Sequence, residues 1–202
     1  MTRINADIFI SSWVEFSQKF TTENLDWLEL YESNHCWSEK FLGGKRSSSD
    51  NSPIGKFFAD KFQGLRYRME DGSFDLAFSF ADNYKKIPYL NRNEISNFDL
   101  ENQFYPSSYD ILLEIENECV CAWQEMTKLT WARCPLKVLV TYNNKWSNEN
   151  EMLAQSFTTI ISQSNTDFKD NQETEYLLII GNNADKKLNW TFYKFDSNGN
   201  RK

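Results

Sequence analysis

YDILLEIE, residues 109–116, is the stretch on which the fold turns. Tyr109, Ile111, Leu113 and Ile115 alternate with Asp110, Leu112, Glu114 and Glu116. That period of two is a β-strand with one fully apolar face. Residues 118–132, ECVCAWQEMTKLTWA, switch period. Val120, Trp123, Met126 and Leu129 recur every third residue, as on a helix that Pro135 ends. LKVLVTY, residues 136–142, is nearly continuous in apolar residues, the pattern of a strand covered on both faces. Strand, helix and strand of these lengths make a βαβ unit. The fold class is therefore α/β, a mixed sheet flanked by helices with YDILLEIE beside LKVLVTY at its centre. Ile111, Leu113, Ile115, Val138 and Val140 are expected among the most buried residues.

Upstream, residues 64–80 read as a hairpin turning at Asp71-Gly72, with Phe74, Leu76, Phe78 and Phe80 alternating against Asp75, Ala77 and Ser79. Residues 8–32 read as helical, with Phe9, Trp13, Phe16 and Phe20 on one stripe and Thr21 or Thr22 capping a second stretch. GGKRSSSDNSP, residues 43–53, is a polar loop, and residues 82–107, with Pro88, Pro106 and five Asn, form a longer one. Downstream, Ser147 is the expected cap of a helix with the stripe Met152, Leu153, Phe157, Ile160 and Ile161. YLLIIG and LNWTFYKF then close as a hairpin, and SNGNRK frays. The expected organisation is one domain, 1–202. It has a helical segment (1–42) packed on the sheet, a flexible loop (43–53), a core (64–142), and a carboxy-terminal helix and hairpin (147–195).

Composition narrows the function. The 202 residues hold 16 Phe, 9 Tyr and 7 Trp, far more core-forming surface than a disordered chain carries. No run is long and apolar enough for a membrane span. The amino-terminal MTRINADIFISSW lacks the apolar core of a secretory signal, so a cytoplasmic location and no membrane partner are expected. The net charge of -7 argues against a broad basic face for nucleic acid, but not against a local basic rim around an acidic metal site. Cys36, Cys119, Cys121 and Cys134 lack the paired spacing of a zinc site, so no zinc is expected and free thiols are. His35, the single histidine, sits near no nucleophile motif.

The residues that carry chemistry lie on the other face of the 109–116 strand: Asp110, Glu114 and Glu116. Two carboxylates about 7 Å apart on a buried strand face repel each other and lose hydration. A hydrated Mg²⁺ or Mn²⁺ offsets that cost, since hard cations take carboxylate oxygens and keep exchangeable waters. A solvent-facing strand side is the competing explanation. On the following helix Glu125 and Lys128 stand one turn apart, within reach of the strand.

The order of helix, hairpin, Glu-x-Glu strand, helix and strand resembles the PD-(D/E)xK nuclease superfamily, the restriction-endonuclease-like fold. The resemblance is carried by YPSSYDILLEIENE (Tyr105–Glu118), WQEMTKL and LKVLVTY within residues 64–142. It implies a core of that fold and metal-dependent hydrolysis of DNA. Glu114 becomes the metal-binding acid. Asp75 or Asp110 becomes the aspartate, Glu116 stands in place of the usual strand lysine, and Lys128 can supply the positive charge from the helix. The implied catalytic set is Asp75, Asp110, Glu114, Glu116 and Lys128, and the implied metal set is Glu114, Glu116 and Asp110, with Mg²⁺ or Mn²⁺. Pro106 is followed by Ser107, so the first half of the family motif is absent as written. Lys45 and Arg46, Arg66 and Arg68, and Lys85 and Lys86 are the basic pairs for substrate contact. An inactive member of the fold would instead bind a protein partner, and an acidic mimic of DNA is a third possibility. The sequence leaves the oligomeric state open.

Overall fold

A computed structural model describes residues 3–33, 40–41, 52–71, 74–86, 104–117, 119–143, 149–164, 173–183 and 186–202. A six-stranded mixed sheet organises the chain. Its strands are β1 (Leu65–Asp71), β2 (Phe74–Phe80), β5 (Ile111–Glu116), β6 (Leu136–Tyr142), β7 (Glu175–Asn182) and β8 (Asn189–Phe195), adjacent in that order. Two short strands, β3 (Tyr84–Lys86) and β4 (Phe104–Pro106), pair apart from it. β5, β6 and β7 run parallel, while β1–β2, β2–β5 and β7–β8 are antiparallel.

The alternation read from residues 109–116 decides the layers. Ile111, Leu113 and Ile115 point to one face with Leu76, Phe78, Val138, Val140, Leu177 and Ile179. There they meet helix α1 (Ala6–Glu23) through Phe9, Trp13, Phe16 and Phe20, and helix α3 (Pro53–Lys61) through Ile54 and Phe58. Leu112 points the other way, with Leu139, Leu178 and Ile180. That side is covered by helix α4 (Ala122–Trp131) through Met126 and Leu129, and by helix α5 (Glu149–Ser164) through Phe157 and Ile161. The result is three layers. Trp13 anchors α1 edge-on to Trp190 of β8 at 5.1 Å, and Trp190 Nε1 donates to Ser17 Oγ at 2.7 Å. α3 comes so close to β1 that a Cβ on Gly55 would fall 2.5 Å from the Tyr67 ring.

Of the residues expected deepest, Ile111, Leu113, Val138 and Val140 are wholly buried and Ile115 nearly so. Leu113→Ala should cost about 2–5 kcal/mol in urea denaturation through the cavity left between sheet and α1. A loss under about 1 kcal/mol would show that the sheet centre can collapse around the gap.

Several local expectations need correction. The helical stretch 8–32 is broken: α1 ends at Glu23 and a separate α2 spans Trp27–Glu32. Thr21 and Thr22 lie inside α1, their hydroxyls donating back to Ser17 and Gln18 carbonyls, and the cap is Asn5, whose Oδ1 accepts from Ile8 N at 2.9 Å. α3 was not expected: Ser52 caps it and Pro53 opens it inside what reads as loop. Most of that loop, the Asp71-Gly72 turn after Asp71, Cys36, His35 and Ser147 lie outside the described residues.

The 118–132 helix begins as a 3₁₀ turn at Cys119–Cys121 and stops at Trp131, short of Pro135. The tighter turn rotates Val120 and Trp123 into solvent and seats Ala122 in the core instead. On α5, Met152 likewise faces solvent and Ala154 takes the core position. The tail does not fray. Asp196 Oδ1 accepts from Asn198 N and Asn200 N, Arg201 bridges back to Phe195 and pairs with Glu151 at 2.8 Å, and Gly199 sits at φ +81° against α5.

Candidate active site

Antiparallel pairing of β2 with β5 builds the site. Leu76 faces Leu113 and Ala77 faces Leu112. One step further along the same ladder, Asp75 stands across from Glu114. Asp75 Oδ2 accepts the Ile115 backbone N–H at 2.7 Å, which pins the carboxylate over β5. The Asp75 and Glu114 carboxyls therefore face each other across the β2–β5 pair.

The α4 side completes the cluster. Lys128 Nζ lies 2.5 Å from Glu114 Oε1 and 2.6 Å from Glu125 Oε2, and 5.6 Å from the centre of the Phe74 ring. Glu114 is 1% exposed, so the solvent-facing explanation of the acidic strand face fails. Glu114 Oε1 and Glu125 Oε2 are both closed off from solvent, and the ammonium is the cation that faces them.

The electrostatics follow from that crowding. Burial pushes the Glu114 carboxyl up to about 8, the neighbouring Asp75 adds to the rise, and the Lys128 contact only partly opposes it. Burial also raises Asp75, against the Ile115 N–H bond and Lys128. Desolvation pulls Lys128 down, but its contacts with Glu114 and Glu125 outweigh it and hold the ammonium charged. Two carboxylates thus hold one lysine, and the third, Asp75, stands across the ladder from Glu114.

Asp75, Glu114 and Lys128 come together; Asp110 and Glu116 do not join them in the same way. Asp110 precedes Glu114 by four residues, about 13 Å along the strand. Its Oδ2 accepts from Phe80 N and Asn83 Nδ2, both at 2.8 Å, so it ties β2 to the segment after it. Glu116 is half-buried at the end of β5, level with Thr141 of β6 and one strand step beyond the cluster. The expected metal trio of Glu114, Glu116 and Asp110 is therefore not assembled. Among the described residues no three His, Cys, Asp or Glu side chains converge as a ligand set. Glu125, left out of the expected catalytic set, is part of the cluster, and its one-turn spacing from Lys128 was the signal.

Another buried charge was passed over inside the apolar run LKVLVTY. Lys137 is wholly buried, with Nζ donating to Tyr176 Oη at 3.0 Å and lying 4.7 Å over its ring. Burial pushes the Cys119 and Cys134 thiols up to about 11 and 12, so neither is a ready thiolate. Clefts of about 610 Å³ between α1 and α3 and about 660 Å³ around Asp110 and Arg133 lie away from Glu114. Buried carboxyls, not cavity volume, mark the site. Comparison with protein-family models, with curated proteins and with solved structures returned no match.

Proposed function

We propose that this chain is a metal-dependent phosphodiesterase acting on DNA, with Asp75, Glu114 and Lys128 as its working residues. The observation that carries the reading is their convergence from β2, β5 and α4 on one sheet face. The order of α3, hairpin β1–β2, β5, α4 and parallel β6 supports a restriction-endonuclease-like core.

A divalent cation suits the donors present. Asp75 and Glu114 would hold it, their carboxyls facing each other from neighbouring strands and shielded from solvent. Mg²⁺ commonly takes one or two protein carboxylates and fills its remaining positions with water and phosphate oxygens. When bound, such an ion supplies Lewis acidity and a water of lowered pKa. The chain's own residues do the rest. Lys128, kept protonated by Glu114 and Glu125, places a fixed positive charge beside the carboxyl pair, where it can stabilise charge developing on a phosphoryl oxygen. Phe74 packs against Lys128 and keeps water from its flank. Glu125 holds the ammonium from the far side.

Supercoiled plasmid and single-stranded DNA, each incubated with Mg²⁺, Mn²⁺ or EDTA, test this directly. Cleavage and a rise in Tm should appear only with metal, and both should vanish in Asp75→Asn. A wild-type Tm unmoved by millimolar metal, with no cleavage of either substrate, would sink the catalytic reading. It would leave the second one, a non-catalytic protein-interaction role. That role is favoured by the apolar groups that α4 and its neighbours present to solvent: Val120 (73% exposed), Trp123 (51%), Trp131 (70%) and Met152 (67%).

A further inference from the structure

α4 and α5 pack side by side over Leu112, Leu139 and Leu178, and their outer surface departs from that of an ordinary soluble protein. Of the five large apolar side chains that stand in water among the described residues, four belong to this layer: Val120, Trp123, Trp131 and Met152. Charge is missing from the same surface. A quarter of the chain's residues are charged, yet residues 152–164 of α5 include none. The exposed polar groups there are Gln155, Ser156, Thr159, Ser162 and Gln163. On α4 the charged residues are Glu125 and Lys128, which pair with each other and, through Lys128, with Glu114 of the sheet. An apolar centre with a neutral polar rim is the composition of a protein interface.

Charge and symmetry name the occupant. Two copies of a chain of net charge -7 repel each other least where neither carries charge. A polyanion or an anionic lipid surface finds none of the basic pairs here: Arg66 and Arg68 are on β1, Lys85 and Lys86 on β3, and Lys45 and Arg46 lie outside the described residues. On α4, Trp123, Thr127 and Trp131 recur at every fourth residue, one row about 12 Å long. The row reads the same in both directions, an indole at each end and a small residue in the middle. Thr127 Oγ1 donates to the Trp123 carbonyl at 2.8 Å, so its polar group is already satisfied within the helix. A two-fold axis through Thr127 sets the helix of a second copy antiparallel, and Trp123 of each then meets Trp131 of the other. That is the self-complementarity an isologous interface requires. The two indoles, Val120 and Met152 expose roughly 500 Å² per copy, roughly 1,000 Å² across a pair, where specific interfaces begin. We propose that the outer face of α4 and α5 binds a second copy of this chain, as a two-fold dimer centred on Thr127. The inference goes beyond the phosphodiesterase reading and is independent of it, since Asp75 and Glu114 lie on the sheet side of α4.

Sedimentation velocity of the full chain, from low micromolar to several hundred micromolar protein, tests the proposal. The mass should move from 23.9 kDa toward twice that value, and high salt should not weaken the association, because the contact has no ion pair to screen. Trp123→Ala/Trp131→Ala should raise the dimer Kd by about tenfold or more. Thr127→Arg, which leaves both indoles in place but sets two like charges on the axis, should also give monomer. Leu25→Ala, at the fifth exposed apolar side chain, should change nothing, and Tm at dilute protein confirms that each variant is folded. Trp123→Lys and Trp131→Glu test the arrangement. Each alone should be monomeric, because both indole contacts are lost. An equimolar mixture should dimerise, because one contact becomes an ion pair and the other keeps both indoles. A wild-type mass of 23.9 kDa at every concentration would overturn the proposal, as would a dimer that survives the double alanine variant or a mixture that fails to pair. Tryptophan-dependent binding of a monomer to phosphatidylcholine vesicles or to single-stranded DNA would overturn it too, by giving the face to a different occupant.

Discussion

Glu114→Gln should leave the metal-free protein as stable as wild type near pH 5 and progressively more stable than wild type as the pH rises to 8. The sign follows from linkage. The Glu114 carboxyl is raised to about 8 in the folded chain, against an ordinary value of 4.5. Between those values the folded state holds a proton that the unfolded state has released, so stability falls with rising pH. The slope is about 1.4 kcal/mol per pH unit for one full proton. Glutamine mimics the protonated carboxyl and does not titrate, so the difference between the two proteins isolates this group. Urea melts at pH 5, 6, 7 and 8 measure it. The same variant should lose the Mg²⁺- and Mn²⁺-dependent rise in Tm and any DNA cleavage, because one of the two carboxylates offered to the cation is gone. A gap that does not change with pH, or a variant weaker than wild type at pH 8, would mean that Glu114 is ionised and held as a structural ion pair by Lys128. Metal would then make no difference to either protein.

Lys128→Met should destabilise the metal-free protein by about 3 kcal/mol at pH 9, where Glu114 is ionised and loses its buried cation, and by much less at pH 6, where its carboxyl is protonated. Methionine keeps the length that packs over Phe74, so the loss is chiefly electrostatic. Lys128 is 29% exposed at its side chain, which places the expected cost at the low end of the range for buried pairs. Adding Glu114→Gln should recover most of it, and the double-mutant cycle then gives the coupling between the two groups. A single variant within about 0.5 kcal/mol of wild type at pH 9 would show that water already screens the cluster and that no cation is needed to hold it.

These two results concern residues that the sequence separates by 14 positions and joins only through local geometry. That part of the site was legible. The period of two in residues 109–116 puts Ile111, Leu113 and Ile115 on one face and Leu112 and Glu114 on the other, whatever the strand packs against. The helix after it must return over that same face to reach a parallel β6, which brings Lys128 and Glu125 within reach of Glu114. Helix ends were legible less well. Thr21, Thr22 and the Val120 and Trp123 row fit plausible local rules, but burial of Ala122 and the break before α2 won over them. Propensity differences there are a few tenths of a kcal/mol, and packing terms are several times larger.

What the sequence by itself determined was the class of the fold, the identity of its central strands and the face on which carboxylates would gather, because these follow from the alternation of side chains along a single segment. What only the tertiary structure decided was which aspartate faces Glu114. Asp75 and Asp110 are the same residue type, and Asp110 is the nearer in sequence. The choice is made by the register of β2 against β5, a pairing across more than thirty intervening residues. That register puts Asp75 opposite Glu114 and leaves Asp110 at the far end of the strand, where backbone and Asn83 donors satisfy it. Register is set by how the apolar sets of both strands fit the two cores at once, and no single segment contains that information.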